Sequence, residues 1–340
     1  MIDRSRSIVP RTSHLAWARD ITPKFRYPPG EDAVAWARKS RKALRDLLGR
    51  SPAEKLDLDV RSLWAINCPA GRIEKIQFAS ETDSDVLGYV CLPRGVDPPY
   101  RFVICLQGHA TGMHLSIGLD ESEMIPIDVA GDRDFAISCM ARGMAALCIE
   151  QRAFGQRMEN TFRESDGWCF EASLHSLLLG RTMMGERVYD VERAVDYLAT
   201  RSDVESIGVL GNSNGGAVSL YAAAVNEQIS FAIPSSAVCG FKESLLTIRH
   251  CIDNYIPGIM HSFDIGDIAA LIAPRPLVIV NGTQDTLFPI DGVISAHQIA
   301  LQVYEAHDAK QNCELVVGRG GHRFYADQAW QRMLGILDGT

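Results

Sequence analysis

Residues 208–216 read GVLGNSNGG, and within them Gly211-Asn212-Ser213-Asn214-Gly215 fits G-x-S-x-G. A serine hydroxyl is a weak nucleophile, so chemistry here needs a base and a third group that fixes the base's tautomer. Two later loops supply candidates: Asp285 in NGTQDTLFP and His322 in GRGGHRFY. The order serine, acid, histidine is one that acyl-transfer enzymes use. The motif alone is weak evidence, since chance produces it on the order of 0.1 times in such a chain. Its context carries more weight. An apolar run, IGVLG, leads in and a small-residue helical run, GGAVSLYAAAV, leads out, giving strand, sharp turn and helix around Ser213. The flanking glycines remove β-carbons that would crowd such a turn, and the helix start places positive partial charge beside it. The competing readings are a plain Gly-Ser turn, a turn aspartate and a surface-loop histidine.

An oxyanion needs two donors. The backbone N–H of Asn214 is one candidate, and that of His109, in the Gly108-His109-Ala110 loop after FVICLQG, is the other. His109 and His114 hint at a metal, but no carboxylate or thiol is placed convincingly beside them, so neither a metal nor a cofactor is expected. Arg152, in the turn EQRAFG, is a candidate to orient pocket walls through backbone carbonyls, with a structural loop arginine the stronger reading. Glu186 is a further pocket candidate; at the start of a helix, Glu186 and Asp190 are also explained by the helix dipole.

The elements that must position these groups follow from the hydrophobic pattern. GRIEKIQFAS and VLGYVCLPR read as two strands around a polar turn at 81–85. Short apolar runs follow, of the kind buried on both faces of a parallel sheet: FVICLQG, MAALCIEQ, IGVLGNS, FAIPSSAV, PLVIVNG and CELVVGRG. Helical patterns fall between them at 132–142, 170–200, 215–226, 291–309 and 325–338. This alternation predicts an α/β fold with a mostly parallel, doubly wound sheet and helices on both faces. Asp285 and His322 then leave the sheet at the edge that presents Ser213. Residues 1–69 read as an N-terminal helical extension, and 70–340 as the catalytic domain. In the extension, 31–49 places Ala33, Trp36, Ala37, Ser40, Leu44, Leu47 and Leu48 on one stripe and stops at Gly49. Ser51-Pro52-Ala53-Glu54 resembles a capping box, predicting another short helix. The basic residues Arg38, Lys39, Arg41, Lys42 and Arg45 read as a solvated face. Residues 240–272 interrupt the alternation and are the expected cap or lid.

Composition bounds the partners. With 46% hydrophobic and 22% charged residues the chain is globular, and its net charge of −8 disfavours a nucleic-acid partner. Nine cysteines without a C-x-x-C pair read as buried free thiols in a reducing compartment. No signal-peptide h-region and no apolar stretch of about 18 residues is present, so a cytoplasmic protein without a membrane partner is expected. The composition allows a homodimer.

Together the GHATG loop, EQRAFGQR, GERVYDVERAVDYL, GNSNGG, FDIGDIAALIAPRPLVIVNGTQD and GGHRF resemble the α/β-hydrolase superfamily. The resemblance is strongest to its dienelactone-hydrolase-like and acetyl-xylan-esterase-like branch, and it spans roughly residues 70–330. It implies an α/β-hydrolase fold, a serine esterase acting on a small-molecule carboxylic ester of short-acyl or sugar-ester type, and a triad of Ser213, Asp285 and His322. This chain departs from the branch in reading Gln-Gly-His where many relatives have His-Gly, and Gln-Arg-Ala-Phe-Gly where relatives often have Arg-Gly-x-Gly. A peptidase or lactone hydrolase on the same triad, and a non-catalytic binding protein on a hydrolase scaffold, are the alternatives.

Overall fold

A computed structural model describes residues 8–49, 52, 54–109, 111–159 and 168–339. Two helices come first, α1 (Pro10–Arg19) and α2 (Ala33–Leu48), and then three antiparallel strands, β1 (Arg61–Asn67), β2 (Gly71–Glu81) and β3 (Ser84–Pro93). The alternating part follows as β4 (Tyr100–Leu106), α3 (Phe135–Met140), β5 (Ala145–Ile149), α4 (Phe170–Leu178), α5 (Met183–Ala199), β6 (Val204–Asn212), α6 (Asn214–Val225) and β7 (Phe231–Ser235). The chain ends with α7 (Ile259–Ser262), α8 (Ile265–Ala270), β8 (Leu277–Gly282), α9 (Ile290–Ala306), β9 (Cys313–Gly318) and α10 (Ala326–Asp338). One sheet runs in the order β1-β2-β3-β5-β4-β6-β7-β8-β9, parallel from β5 to β9.

The apolar runs are strands because both of their faces are covered. Along β4, Phe102, Ile104 and Leu106 belong to one core cluster and Val103 and Cys105 to the other, the period-two alternation of a sheet packed on both sides. The first cluster packs α2, α5, α6, α8 and α9; the second packs α3 and α10.

Three expectations are corrected in the front of the chain. Residues 1–69 are not wholly helical, because β1 joins the sheet through β2. Among the described residues between Gly49 and β1 no helix forms: Pro52 and residues 54–60 have irregular backbone, while Arg50, Ser51 and Ala53 lie outside the described residues. The basic face of α2 is only partly solvated. Arg41 donates to the Ala224 and Leu271 carbonyls (2.9 and 3.1 Å) and Arg45 to that of Val225 (2.5 Å), closing carbonyls at the ends of α6 and α8 that have no helical partner. The stripe itself stands as read, with Leu47 only half-buried, and Asp32 caps α2 by accepting from the Val34 and Ala35 N–H groups. Farther on, the 170–200 stretch is two helices, split at Gly180-Arg181-Thr182, where Thr182 caps α5 through the Gly185 N–H (2.9 Å).

Residues 240–272 divide in function. From Ile265 to Ile272 every residue is buried, part of the core beneath α9, so this end of the segment is scaffold. The longer part before it is turns with the short α7, and its residues 249–252, 254 and 255 line a surface cleft.

Candidate active site

Ser213 stands between β6 and α6 with φ 60° and ψ −123°, backbone that an L-residue rarely adopts. Neighbouring packing holds it there. A β-carbon on Gly211 would lie 2.2 Å from the Gly215 carbonyl oxygen, and one on Gly215 would lie 2.2 Å from that of Leu106. Only glycine allows α6 to start this close to β6 and to the end of β4. The Ser213 N–H donates to the Ser235 carbonyl (2.8 Å), and the Ser213 carbonyl accepts from Ala217 (2.9 Å), fixing the turn from both sides.

Asp285 and His322 meet. His322 Nδ1 lies 2.8 Å from Asp285 Oδ2, and Asp285 Oδ1 accepts from the N–H groups of Leu287 (2.9 Å) and Phe288 (3.2 Å). Burial pushes the Asp285 carboxyl up, but the hydrogen bond and charge of His322, with those two N–H donors, hold it below its ordinary value. The ring of Phe288 lies nearly parallel to His322, with centroids 5.9 Å apart, and braces it. The strand ends are tied together as well. Gln284 N–H donates to the Gly320 carbonyl (2.7 Å), and Ser235 Oγ bonds both Asn212 Oδ1 (3.0 Å) and the Arg323 carbonyl (3.2 Å). The histidine loop is thereby held against the strand that delivers Ser213.

Ser213 lines a cleft of about 600 Å³ together with His109, Asn214, Phe170, Phe288 and residues 249–252, 254 and 255. Gly108 comes directly against the nucleophile turn: a β-carbon there would be 3.4 Å from Ser213 Cβ. Asn214 is the first residue of α6, where a backbone N–H has no acceptor within its own helix. The structure therefore brings Ser213, Asn214, Gly108 and His109 to one cleft and pairs His322 with Asp285 beside it; Ala110 lies outside the described residues.

Arg152 and Glu186 are not part of this cleft. Rather than backbone carbonyls, the Arg152 guanidinium pairs with Glu81 (2.6 Å), Glu186 (3.2 Å) and Asp190 (2.8 Å). Three carboxylates hold it more strongly than neutral carbonyls would. The wall-orienting role falls to Arg187, one residue beyond Glu186, which sequence reasoning passed over. Its fully buried guanidinium donates to the Arg152 carbonyl (2.8 Å), to Asn214 Oδ1 (2.7 Å) and to Asp253 Oδ2 (2.7 Å), and it lies over the Phe154 ring at 4.0 Å. Arg187 thus locks the side chain after the nucleophile to the 249–255 wall.

His109 does not group with His114. Its ring nitrogen Nε2 lies 3.3 Å from Cys169 Sγ, and the donor atoms of His109, Cys169, Cys251 and Asp253 all fall within 4.8 Å of one another. This is the one set of side chains among the described residues whose composition suits a metal ion. Thiols and a carboxylate distant in sequence supply what the local spacing lacked.

No helix among the described residues is long and apolar enough to cross a membrane.

Comparison with known proteins agrees with this architecture. The chain is 27% identical over 288 residues to "Putative hydrolase YtaP" of Bacillus subtilis (strain 168), covering 83% of this chain and 92% of that protein. A shorter stretch of 130 residues is 28% identical to "Carbohydrate esterase MZ0003" from an unknown prokaryotic organism, covering 33% of this chain and 30% of that protein. Among solved structures, a "putative acetyl xylan esterase (BF1801)" from Bacteroides fragilis NCTC 9343 superposes with a TM-score of 0.76 at 17% identity, covering 94% of this chain and 84% of that one. A glucuronoyl esterase from Solibacter usitatus gives 0.67 at 16% identity, covering 94% and 98%. At such identities these are likenesses of fold. The model of the Abhydrolase family matches residues 6–314, a span that holds Ser213 and Asp285 and stops short of His322. The chain belongs to the Abhydrolase family, and its fold is that of an α/β-hydrolase.

Proposed function

We propose that the protein is a serine esterase that cleaves small carboxylic esters, sugar esters among them, through an acyl-enzyme. The observation that carries this reading is the 2.8 Å hydrogen bond from His322 to buried Asp285, beside a cleft headed by a strained serine. Ser213 Oγ attacks the ester carbonyl as His322 takes its proton, and Asp285 stabilises the imidazolium. The Asn214 N–H and the N–H of His109 hold the tetrahedral oxyanion, each such donor being worth about 3 kcal/mol. His322 returns its proton to the leaving alcohol and then activates the water that releases the acid. Nothing in these steps calls for a cofactor.

The substrate class draws on the names of the relatives, a carbohydrate esterase in sequence and acetyl xylan and glucuronoyl esterases in fold. It also draws on a cleft of about 600 Å³, within the range of small-molecule sites. The residues from Gly240 to Tyr255 act as the cap over that cleft, and α1 and α2 as a front extension packed on the catalytic core.

The test is hydrolysis of p-nitrophenyl esters from acetate to octanoate by wild type and Ser213→Ala. Serine-dependent turnover that falls steeply beyond short acyl chains is expected. Full activity in Ser213→Ala would overturn the assignment.

A further inference from the structure

The cleft that presents Ser213 also presents a pair of thiols. Cys169 directly precedes α4 and is buried; Cys251, 82 residues later, is half-buried and lines the cleft. Their Sγ atoms are 2.8 Å apart, and His109 Nε2 is 3.3 Å from Cys169 Sγ. With Asp253, these groups could be a cation site or a reactive dithiol. Two features favour the dithiol. Thiolates sharing a tetrahedral zinc, at about 2.3 Å each, stand about 3.7 Å apart, farther than these sulfurs. The fourth donor, Asp253, is already in a fully buried ion pair with Arg187, whose positive charge also bears on His109 and Cys169 and would oppose a cation.

The electrostatics divide the roles of the sulfurs. Cys251 is brought down to about 5, chiefly by the hydrogen bond from Cys169 and also by His109, against the opposing effect of burial. Cys169 is raised, by its hydrogen bond to Cys251 and by burial. For His109, burial is the largest influence and pulls it down, but Cys251 and Asp253 together hold it above its ordinary value. A thiolate facing the cleft with a thiol behind it is the arrangement of an attacking and a resolving cysteine.

We propose that Cys169 and Cys251 are a redox-active dithiol that a small-molecule disulfide, entering by the cleft, converts to an intramolecular disulfide. The Cys251 thiolate attacks one sulfur of the oxidant, whose S–S bond breaks and releases a first thiolate that takes a proton from water. Cys169 then gives its proton to His109, and its sulfur attacks Cys251 Sγ, expelling the second thiolate, which takes that proton. Overall, the two cysteine thiols lose two electrons and two protons, and one disulfide oxidant becomes two thiols. Closure ties the start of α4, where Phe170 lines the cleft, to the wall at Cys251 and Ile252, so that the oxidised protein has a fixed aperture in front of Ser213. The proposal does not depend on what Ser213 does, because its readout is the thiols themselves.

The test treats the reduced full-length protein with oxidised glutathione, quenches it with an alkylating agent and maps peptides by mass. A crosslink between the Cys169 and Cys251 peptides, reversed by dithiothreitol, is expected. Cys169→Ser should accumulate glutathione on Cys251, and Cys251→Ser should accumulate none on Cys169. At pH 6, iodoacetamide should alkylate Cys251 at least about tenfold faster than Cys68, the other half-buried thiol. The wild-type mapping stands without the variants should either fail to fold. Two unmodified thiols in the wild type, or glutathione on Cys169 in Cys251→Ser, would overturn the proposal. So would one zinc per chain, measured in the isolated protein, that shields both thiols and is lost in both variants.

Discussion

Two charged assemblies lie beside the same sheet, and they differ in whether their valences are used up. In the first, Arg152, Arg157 and Arg181 face Glu81, Glu186 and Asp190, and each carboxylate is shared by two guanidiniums. Glu81 meets Arg152 and Arg181 (2.6 and 2.8 Å), Glu186 meets the same two (3.2 and 3.1 Å), and Asp190 meets Arg152 and Arg157 (2.8 and 2.6 Å). Three positive charges meet three negative ones, and the network is closed. In the second, Asp285 is fully engaged by His322 and two backbone N–H groups, but His322 is not. One ring nitrogen holds Asp285, and among the described residues nothing holds the other. A closed network fastens β2 to α5 and to the turn after β5. An open one retains a base able to take a proton. Both sites are rich in charge, so charge alone does not distinguish a structural site from a chemical one; the unfilled valence does.

Breaking the open site should cost rate. Replacing His322 by Gln, or Asp285 by Asn, should lower kcat by about 10⁴-fold or more, about 5.5 kcal/mol of barrier. The midpoint of urea unfolding should move little in His322→Gln, because that side chain is 29% exposed. Steady-state kinetics beside denaturation curves would show the split.

Breaking the closed site should cost stability. Asp190→Asn leaves two guanidiniums that are nearly buried short of a counter-charge, a change that typically costs about 3–5 kcal/mol. Urea unfolding should report that loss, while kcat stays within about threefold of wild type. A kcat collapse in Asp190→Asn, with stability intact, would erase the contrast between the two regions.

The same residue sharpens the comparison through pH. Burial pushes the Asp190 carboxyl up, but Arg157, Arg152 and Ser80 together hold it well below the ordinary aspartate value of 3.8. Its stabilisation is therefore fully present above that ordinary value and is lost as pH falls through the lower folded value. Between the two values the unfolded chain binds the extra proton, so wild-type stability should rise with pH there. Asp190→Asn should show a shallower slope over that window in acid titrations of the unfolding midpoint. The smallest effect belongs to Glu186→Gln, where the amide oxygen still accepts from Ser176 and Arg181 and only the longer bond from Arg152 (3.2 Å) is lost. A loss of about 1 kcal/mol with unchanged turnover is expected.

What was legible in the sequence follows from the range of the interactions involved. The elbow depends on Gly211 and Gly215, two residues either side of Ser213, so a pentapeptide displays it. Asp285 and His322 could be placed because each follows a largely apolar strand whose end defines the active edge. Strand β1 was missed because all but one of its residues are exposed, so RSLWAIN carries no buried alternation. Helix α1 falls within the expected helical extension but was given no bounds, because Ala18 is its only buried residue. The break at Gly180-Arg181-Thr182 was readable as a glycine stop and a threonine cap. Arg187, Asp253 and the two cysteines were not readable at all. They meet from segments tens of residues apart, and a fully buried arginine has the same letter as a solvated one. The Arg152 candidacy failed on this point too, since its carboxylate partners lie on β2 and α5.

The most direct measurement is the intact mass of the folded protein after exposure to a fluorophosphonate probe, followed by peptide mapping. A single adduct on Ser213, absent in Ser213→Ala and formed far more slowly in His322→Gln, is the predicted result. A folded protein that takes up no probe, or takes it up equally well in Ser213→Ala, would contradict the account.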